Sequence, residues 1–193
     1  TDVVENSSPV FTSNSSYTVA ENQTSAANIT VTDADSDSIS FSLSGTDADS
    51  FAISSSGALT FNNAPDYETK DSYSLIITAS DGTASVSQTV TITISNINEV
   101  PQISALSSNQ LPDENQLSVV TVSASDPDAS TTLTYSLSGT DSSLFAISSS
   151  GVITFSSAPD YETPGDADGD NNYQINVVVS DGSLSVTQAI TIQ

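Results

Sequence analysis

Apolar and polar residues alternate with a period of two along nearly the whole chain, and no stretch sustains the 3.6-residue period of an amphipathic helix. In the first half the alternating sets are Ile29/Val31, Phe41/Leu43, Phe51/Ile53, Leu59/Phe61, Tyr73/Leu75/Ile77/Ala79 and Val86/Gln88/Val90/Ile92/Ile94. In the second half they are Val120/Val122, Tyr135/Leu137, Phe145/Ile147, Ile153/Phe155, Tyr173/Ile175/Val177/Val179 and Val186/Gln188/Ile190/Ile192. Turn signals separate them. Ser56-Gly57 and Ser150-Gly151 mark one tight turn, and Asp81-Gly82 and Asp181-Gly182 sit where a hairpin joins the last two strands. About seven short strands in about 95 residues predict an all-β fold: two tandem seven-stranded Greek-key β-sandwiches of immunoglobulin-like build.

The duplication is explicit. Residues 41–68 return as 135–162 with 20 of 28 positions identical. Glu21-Asn22 returns as Glu114-Asn115, Asp33-x-Asp35 as Asp126-x-Asp128, and Ser80-Asp81-Gly82 as Ser180-Asp181-Gly182. The spacing predicts two domains, 1–98 and 99–193, joined at Asn96-Ile97-Asn98-Glu99-Val100-Pro101. That joint has a stiffening proline and no Gly/Ser spacer, so it predicts a defined relation between neighbours. Carboxylates at fixed places in a repeat suggest a tandem array that binds cations where its units meet.

Charge sharpens this picture. Asp and Glu number 24 against a single basic residue, Lys70, for a net charge of -23. Each half holds twelve of the acids. So acidic a chain is a poor partner for nucleic acid or an anionic membrane, which both require Lys and Arg. Without counterions the like charges oppose compaction, so a cation is implied. Cysteine and histidine are absent, which removes disulfides and the soft-ligand sites of zinc, iron or copper. Oxygen ligands alone point to a hard cation, Ca2+ before magnesium. No apolar run reaches membrane-spanning length, so no direct membrane insertion is expected. The setting expected is extracellular, at the cell surface or secreted. The chain reads as a monomeric excerpt of a longer protein.

Glu-Asn before the second strand, Asp-x-Asp after it, Pro-Asp-Tyr-Glu in the middle, a late Ser-Asp-Gly and Asn-x-Asn-Glu-x-Pro at the joint together resemble cadherin repeats over essentially the whole chain. The family's counterparts are a Glu in the first loop, DxD, DxE, a late AxD and a DxNDNxP linker. The Asp-Tyr-Glu form and the shortened linker are similar to repeats of giant secreted bacterial adhesins, including the RTX type. The resemblance implies Ca2+ bound between consecutive domains. Its ligands come from Glu21, Asp66 and Glu68 above, Asn96, Asn98 and Glu99 in the linker, and Asp126, Asp128 and Asp181 below. Asn96 stands where the family has Asp, and the linker is one residue shorter, which implies two or three ions. Half-sites follow at both ends: Asp2, Glu5, Asp33, Asp35 and Asp81 at one, Glu114, Asp160 and Glu162 at the other. The second half alone has an insertion, residues 163–172. Its Asp166, Asp168 and Asp170 alternate around Gly169 in the manner of a calcium loop.

Single aspartates in Ser/Gly-rich loops are more often turn formers than ligands, and Asp37, Asp47, Asp49, Asp71 and Asp141 are read that way. Asn6-Ser7-Ser8 and Asn22-Gln23-Thr24 match the glycosylation sequon, which carries little weight in a bacterial protein. Tyr67 and Tyr161 are read as packing beside a calcium site. The function expected is a calcium-rigidified spacer or presentation module of an extracellular adhesin, its partners being neighbouring cadherin-like domains of the same chain. The alternative is a module that binds carbohydrate or a cell-surface protein ligand, weakened by the absence of Trp. An enzyme is not expected, because the carboxylate pair Asp66/Glu68 recurs as Asp160/Glu162, which suits an array better than one catalytic cleft.

Overall fold

The computed structural model describes residues 5–129 and 131–193. It divides into two compact units, one ending at Ile97 and one running from Asn98 to Gln193. Among the described residues there is no α-helix; the helical content is one 3-10 turn per unit, Ala48–Ser50 and Ser142–Leu144.

In the first unit β1 (Val10–Phe11) and β2 (Ser16–Ala20) form an interrupted first strand, and β3 (Ser25–Asn28) and β4 (Val31–Thr32) an interrupted second. They are followed by β5 (Ser40–Ser44), β6 (Phe51–Ile53), β7 (Ala58–Phe61), β8 (Ser72–Ser80) and β9 (Ser85–Ser95). One sheet has the order β2-β9-β8-β5 and the other β3-β7-β6, with β1 and β4 paired separately. Counting the interrupted strands once gives seven. The interruption of the second strand has a physical cause. Ile29 still holds the β7 register, its amide bonding the carbonyl of Gly57 at 2.8 Å and its side chain buried, while the carbonyl of the next residue, Thr30, accepts the Thr12 amide at 2.9 Å beside β1. The chain therefore switches from β7 to β1 within two residues. The sequence expectation of one strand through Ile29 and Val31 is corrected accordingly.

The second unit repeats this plan in β10 (Gln102–Ser104), β11 (Asn109–Gln110), β12 (Ser118–Thr121), β13 (Ser123–Ser125), β14 (Thr134–Ser138), β15 (Phe145–Ile147), β16 (Val152–Phe155), β17 (Tyr173–Ser180) and β18 (Ser185–Ile192). Its sheets are β11-β18-β17-β14 and β12-β16-β15. Val122 makes the same switch, its amide bonding Gly151 at 2.8 Å. The first strand keeps its register: Asn109 and Gln110 of β11 pair in parallel with Thr191 and Ile192 of β18, as Ser16 and Tyr17 of β2 pair with Thr91 and Ile92 of β9.

Each unit has its own core. Leu75, Ile77, Val90, Ile92 and Ile94 are fully buried in the first, and Ile153, Val177, Val179 and Ile192 in the second. An aromatic trio closes one end of each. Phe51 and Phe61 lie 4.5 Å apart with Tyr73 edge-on at 5.2 Å from Phe61; Phe145 and Phe155 lie 4.5 Å apart with Tyr173 at 5.3 Å from Phe155. The duplicated sequence thus builds a duplicated interior, and it leaves the carboxylates to the loops.

Candidate metal centre

At one end of the first unit the turn after β2 presents Glu21. The amide of Asn22 bonds the carbonyl of Pro65 at 2.9 Å, which Asn22 permits by adopting a left-handed φ of 64°. Glu21 is buried; its Oε2 accepts the Tyr67 amide at 2.9 Å and its Oε1 the Ile97 amide at 2.8 Å. Carboxylate oxygens of Glu21 and Glu68 lie within 4.8 Å of each other. Asp66 turns elsewhere: Oδ1 accepts the Thr69 amide at 3.1 Å and Oδ2 the Thr69 hydroxyl at 3.0 Å, which caps its own turn. Asn96 is exposed.

The second unit reproduces this end with Asn115 at φ 61° and the Tyr161 amide on Glu114 at 3.3 Å. Glu114, Asp160 and Glu162 are all exposed, and one oxygen of each lies within 4.8 Å of the others. Here Asp160 does join its partners, with Oδ1 accepting the Glu162 amide at 3.1 Å.

The opposite end carries Asp-x-Asp. In the second unit Asp126 Oδ1 accepts the Asp128 amide at 2.9 Å, Asp128 Oδ2 accepts the Glu99 amide at 2.7 Å, and Asp181 Oδ2 accepts the Asn98 side-chain amide at 2.8 Å. Asp181 Oδ1 takes the amides of Ser183 and Leu184. Asn98 first, with Leu184 and Ser183, holds the Asp181 carboxyl below the usual carboxylate range. In the first unit Asp33 Oδ1 accepts the Asp35 amide at 2.9 Å, Asp35 Oδ2 the Ser7 amide at 2.6 Å and Asp81 Oδ2 the Asn6 side chain at 3.0 Å. Asp81 is likewise held low, by the Ala84 amide first and then Asn6 and Thr83.

One atom in each copy is left over. Asp33 Oδ2 and Asp126 Oδ2 are buried and meet no donor. A buried carboxylate oxygen without a donor is costly, and this chain's single lysine lies elsewhere, on Asp47. The donor set around both is all oxygen, with Asp35 and Asp37 within 4.8 Å of Asp33. These residues fit a hard cation such as Ca2+.

The insertion forms a third kind of cluster. Asp166, Asp168 and Asp170 place oxygens within 4.8 Å of one another, with Asp166 buried and the others exposed. Asp166 accepts the amides of Asp170 at 2.9 Å and Asn171 at 3.3 Å. Burial opposes its ionisation, but those amides and Asp168 hold its carboxyl low overall. Asp168 is pushed up, by its hydrogen bond to Asp166 first and by the charge of Asp170.

Several residues have roles the sequence reading did not give them. Asp37 joins Asp33 and Asp35, and the signal was the alternating acids 33, 35 and 37. Asn6 does at the first linker what Asn98 does at the second, and the shared Asn-x-x-Pro spacing carried that signal; Glu5 is exposed. Asp141 is buried and anchors the insertion through the Ala167 amide at 2.9 Å while also accepting the Gln174 amide at 2.7 Å. Its counterpart Asp47 accepts Lys70 and the Ser74 amide, and Lys70 first, then Ser74, lowers its pKa. Asp2 lies outside the described residues.

Residues 15–95 match the family model of the cadherin domain. The fold of the chain is that of cadherin repeats. Similar solved structures include human protocadherin-24 EC1-2, 22% identical with a TM-score of 0.63 over 96% of this chain and 98% of that one. Mouse cadherin-23 EC22-24 is 26% identical with a TM-score of 0.59, over 96% of this chain and 64% of that one. Drosophila N-cadherin EC1-4 is 21% identical with a TM-score of 0.63, over 97% and 49% respectively. No curated protein matches the chain. Cadherin domains are non-enzymatic extracellular modules that bind Ca2+ and mediate calcium-dependent adhesion. No helix among the described residues is long and apolar enough to cross a membrane.

Proposed function

We propose that the chain is a calcium-rigidified spacer or presentation module of an extracellular adhesin, made of cadherin-like repeats 1–98 and 99–193 and belonging to a large bacterial protein of the RTX-adhesin type. The ions sit where repeats meet. Glu21, Asp66, Glu68, Asn96, Asn98, Glu99, Asp126, Asp128 and Asp181 serve one such site. Asp2, Glu5, Asp33, Asp35 and Asp81 offer the half-site for a preceding repeat, and Glu114, Asp160 and Glu162 that for a following one. Asp166, Asp168 and Asp170 hold a further ion in the second repeat alone. Calcium neutralises facing carboxylates and fixes one repeat against the next.

The observation that carries this reading is the buried, donorless Oδ2 of Asp33 and of Asp126, at the same motif position in both units. A solvated turn former has no reason to bury an oxygen twice in the same way. The test is calcium titration of the wild type and of Asp126→Asn followed by calorimetry. Saturable binding with loss of at least one ion in the variant supports the proposal; equal binding by both refutes it. The depressions beside Tyr73 and Tyr173, 310 and 280 Å³, occur in both units and favour no ligand specific to one of them.

A further inference from the structure

Both units fasten the segment that precedes them by the same pair of hydrogen bonds, each between two protein groups. An asparagine side chain donates to the carboxylate of the Asp-Gly turn: Asn98 to Asp181 at 2.8 Å, Asn6 to Asp81 at 3.0 Å. The next backbone amide donates to the second Asp of Asp-x-Asp: Glu99 to Asp128 at 2.7 Å, Ser7 to Asp35 at 2.6 Å. The residue at the second position differs, Glu in one unit and Ser in the other, so the contact belongs to the backbone. The residue at the first position does not differ.

The chemistry explains why. The other oxygen of each turn aspartate is already engaged by two turn amides, Thr83 and Ala84 in one unit and Ser183 and Leu184 in the other, at 2.5–2.6 Å. The remaining Oδ2 faces the linker and takes one more donor. An amide supplies it and keeps its own Oδ1 available as a neutral ligand. An aspartate there would set two carboxylates at hydrogen-bond distance, a repulsive contact until an ion arrives. We infer that Asn6 and Asn98 are positioning residues that clamp each linker onto the repeat it precedes without metal, so that calcium meets a lower half-site already assembled. The calcium role of that half-site rests on the proposed function; the clamp does not.

The experiment uses the 193-residue chain in chelator, with amide hydrogen exchange read by NMR at Glu99. In the wild type the Glu99 amide is protected without calcium. Asn98→Ala and Asn98→Asp each raise its exchange rate at least about tenfold, the loss of one charge-assisted hydrogen bond. The double variant Asn98→Asp with Asp181→Asn restores protection. The amide introduced at position 181 keeps its oxygen on the turn amides and turns its NH2 toward the carboxylate introduced at position 98. Protection at Val177 and Ile190 verifies that the unit is folded; Asn6→Asp with Asp81→Asn, read at Ser7, repeats the test in the other unit. A Glu99 amide protected only after calcium is added, or a swap that exchanges as fast as Asn98→Asp, overturns the inference. Protection in chelator with no effect of calcium on any property keeps the clamp and sinks the calcium reading instead.

Discussion

Gly57 and Gly151 are the positions where a single side-chain carbon decides the fold locally. Each has a positive φ, 84° and 79°, and a Cβ there would lie 2.0 Å from the carbonyl oxygen of Ile29 or 2.4 Å from that of Val122. Those carbonyls belong to the residues at which the second strand changes partners. Gly57→Ala is expected to destabilise the first unit by at least about 1–3 kcal/mol, the cost of the strained backbone before the clash is added. Urea melts check it, with Gly82→Ala as the control, where φ is also positive but nothing lies within 4 Å. Lys70 gives the second prediction at this scale. Its pairing lowers the Asp47 carboxyl, so the interaction is fully present above the unfolded aspartate pKa of about 3.9 and fades as pH falls through the lower folded value. Lys70 is substantially exposed, so the pair contributes under about 1 kcal/mol. Lys70→Met should therefore cost stability at pH 7 and cost almost nothing near pH 2; an equal cost at both would assign the effect to packing of the Lys70 chain over the Tyr73 ring.

At the scale of the element, the loop that distinguishes the two repeats shows how one anchor is used twice. Asp47 receives Lys70 in the first unit, while Asp141, with no lysine available, receives the backbone of the insertion. Replacing Asp168 and Asp170 by Asn should leave the fold intact, since the anchors are Asp141 and Asp166, and should remove one bound calcium by titration. An unchanged stoichiometry would make the loop a solvated turn. The strands were readable in the sequence because alternation with β-branched and aromatic residues is a local signal: β5 to β9 and β14 to β18 lie where the period places them. The breaks in the first two strands were not readable. In the second strand the break falls where pairing passes from Gly57, 28 residues on from Ile29, to Thr12, 18 residues back from Thr30, and no local period records a change of partner. The acidic positions were legible as a set because they recur. Which way each carboxylate turns was not: Asp66 caps Thr69 while its counterpart Asp160 joins Glu114 and Glu162.

For the whole molecule, 24 carboxylates against one lysine make the apo state electrostatically expensive, and a ligand that binds only the folded state stabilises it by mass action. The proposed spacer has two consequences, higher stability and a stiffer chain, and both belong to the same cation. The most direct test is a thermal melt of the 193-residue chain in chelator and in millimolar calcium, with small-angle scattering on the same samples. The account predicts a melting temperature raised by at least about 5 °C, the shift expected from roughly 1–2 kcal/mol in domains of this size, together with a narrower and more extended distribution of sizes. Identical melting and identical scattering in the two conditions would contradict it, and the acids would then be solubilising turns with no metal to hold.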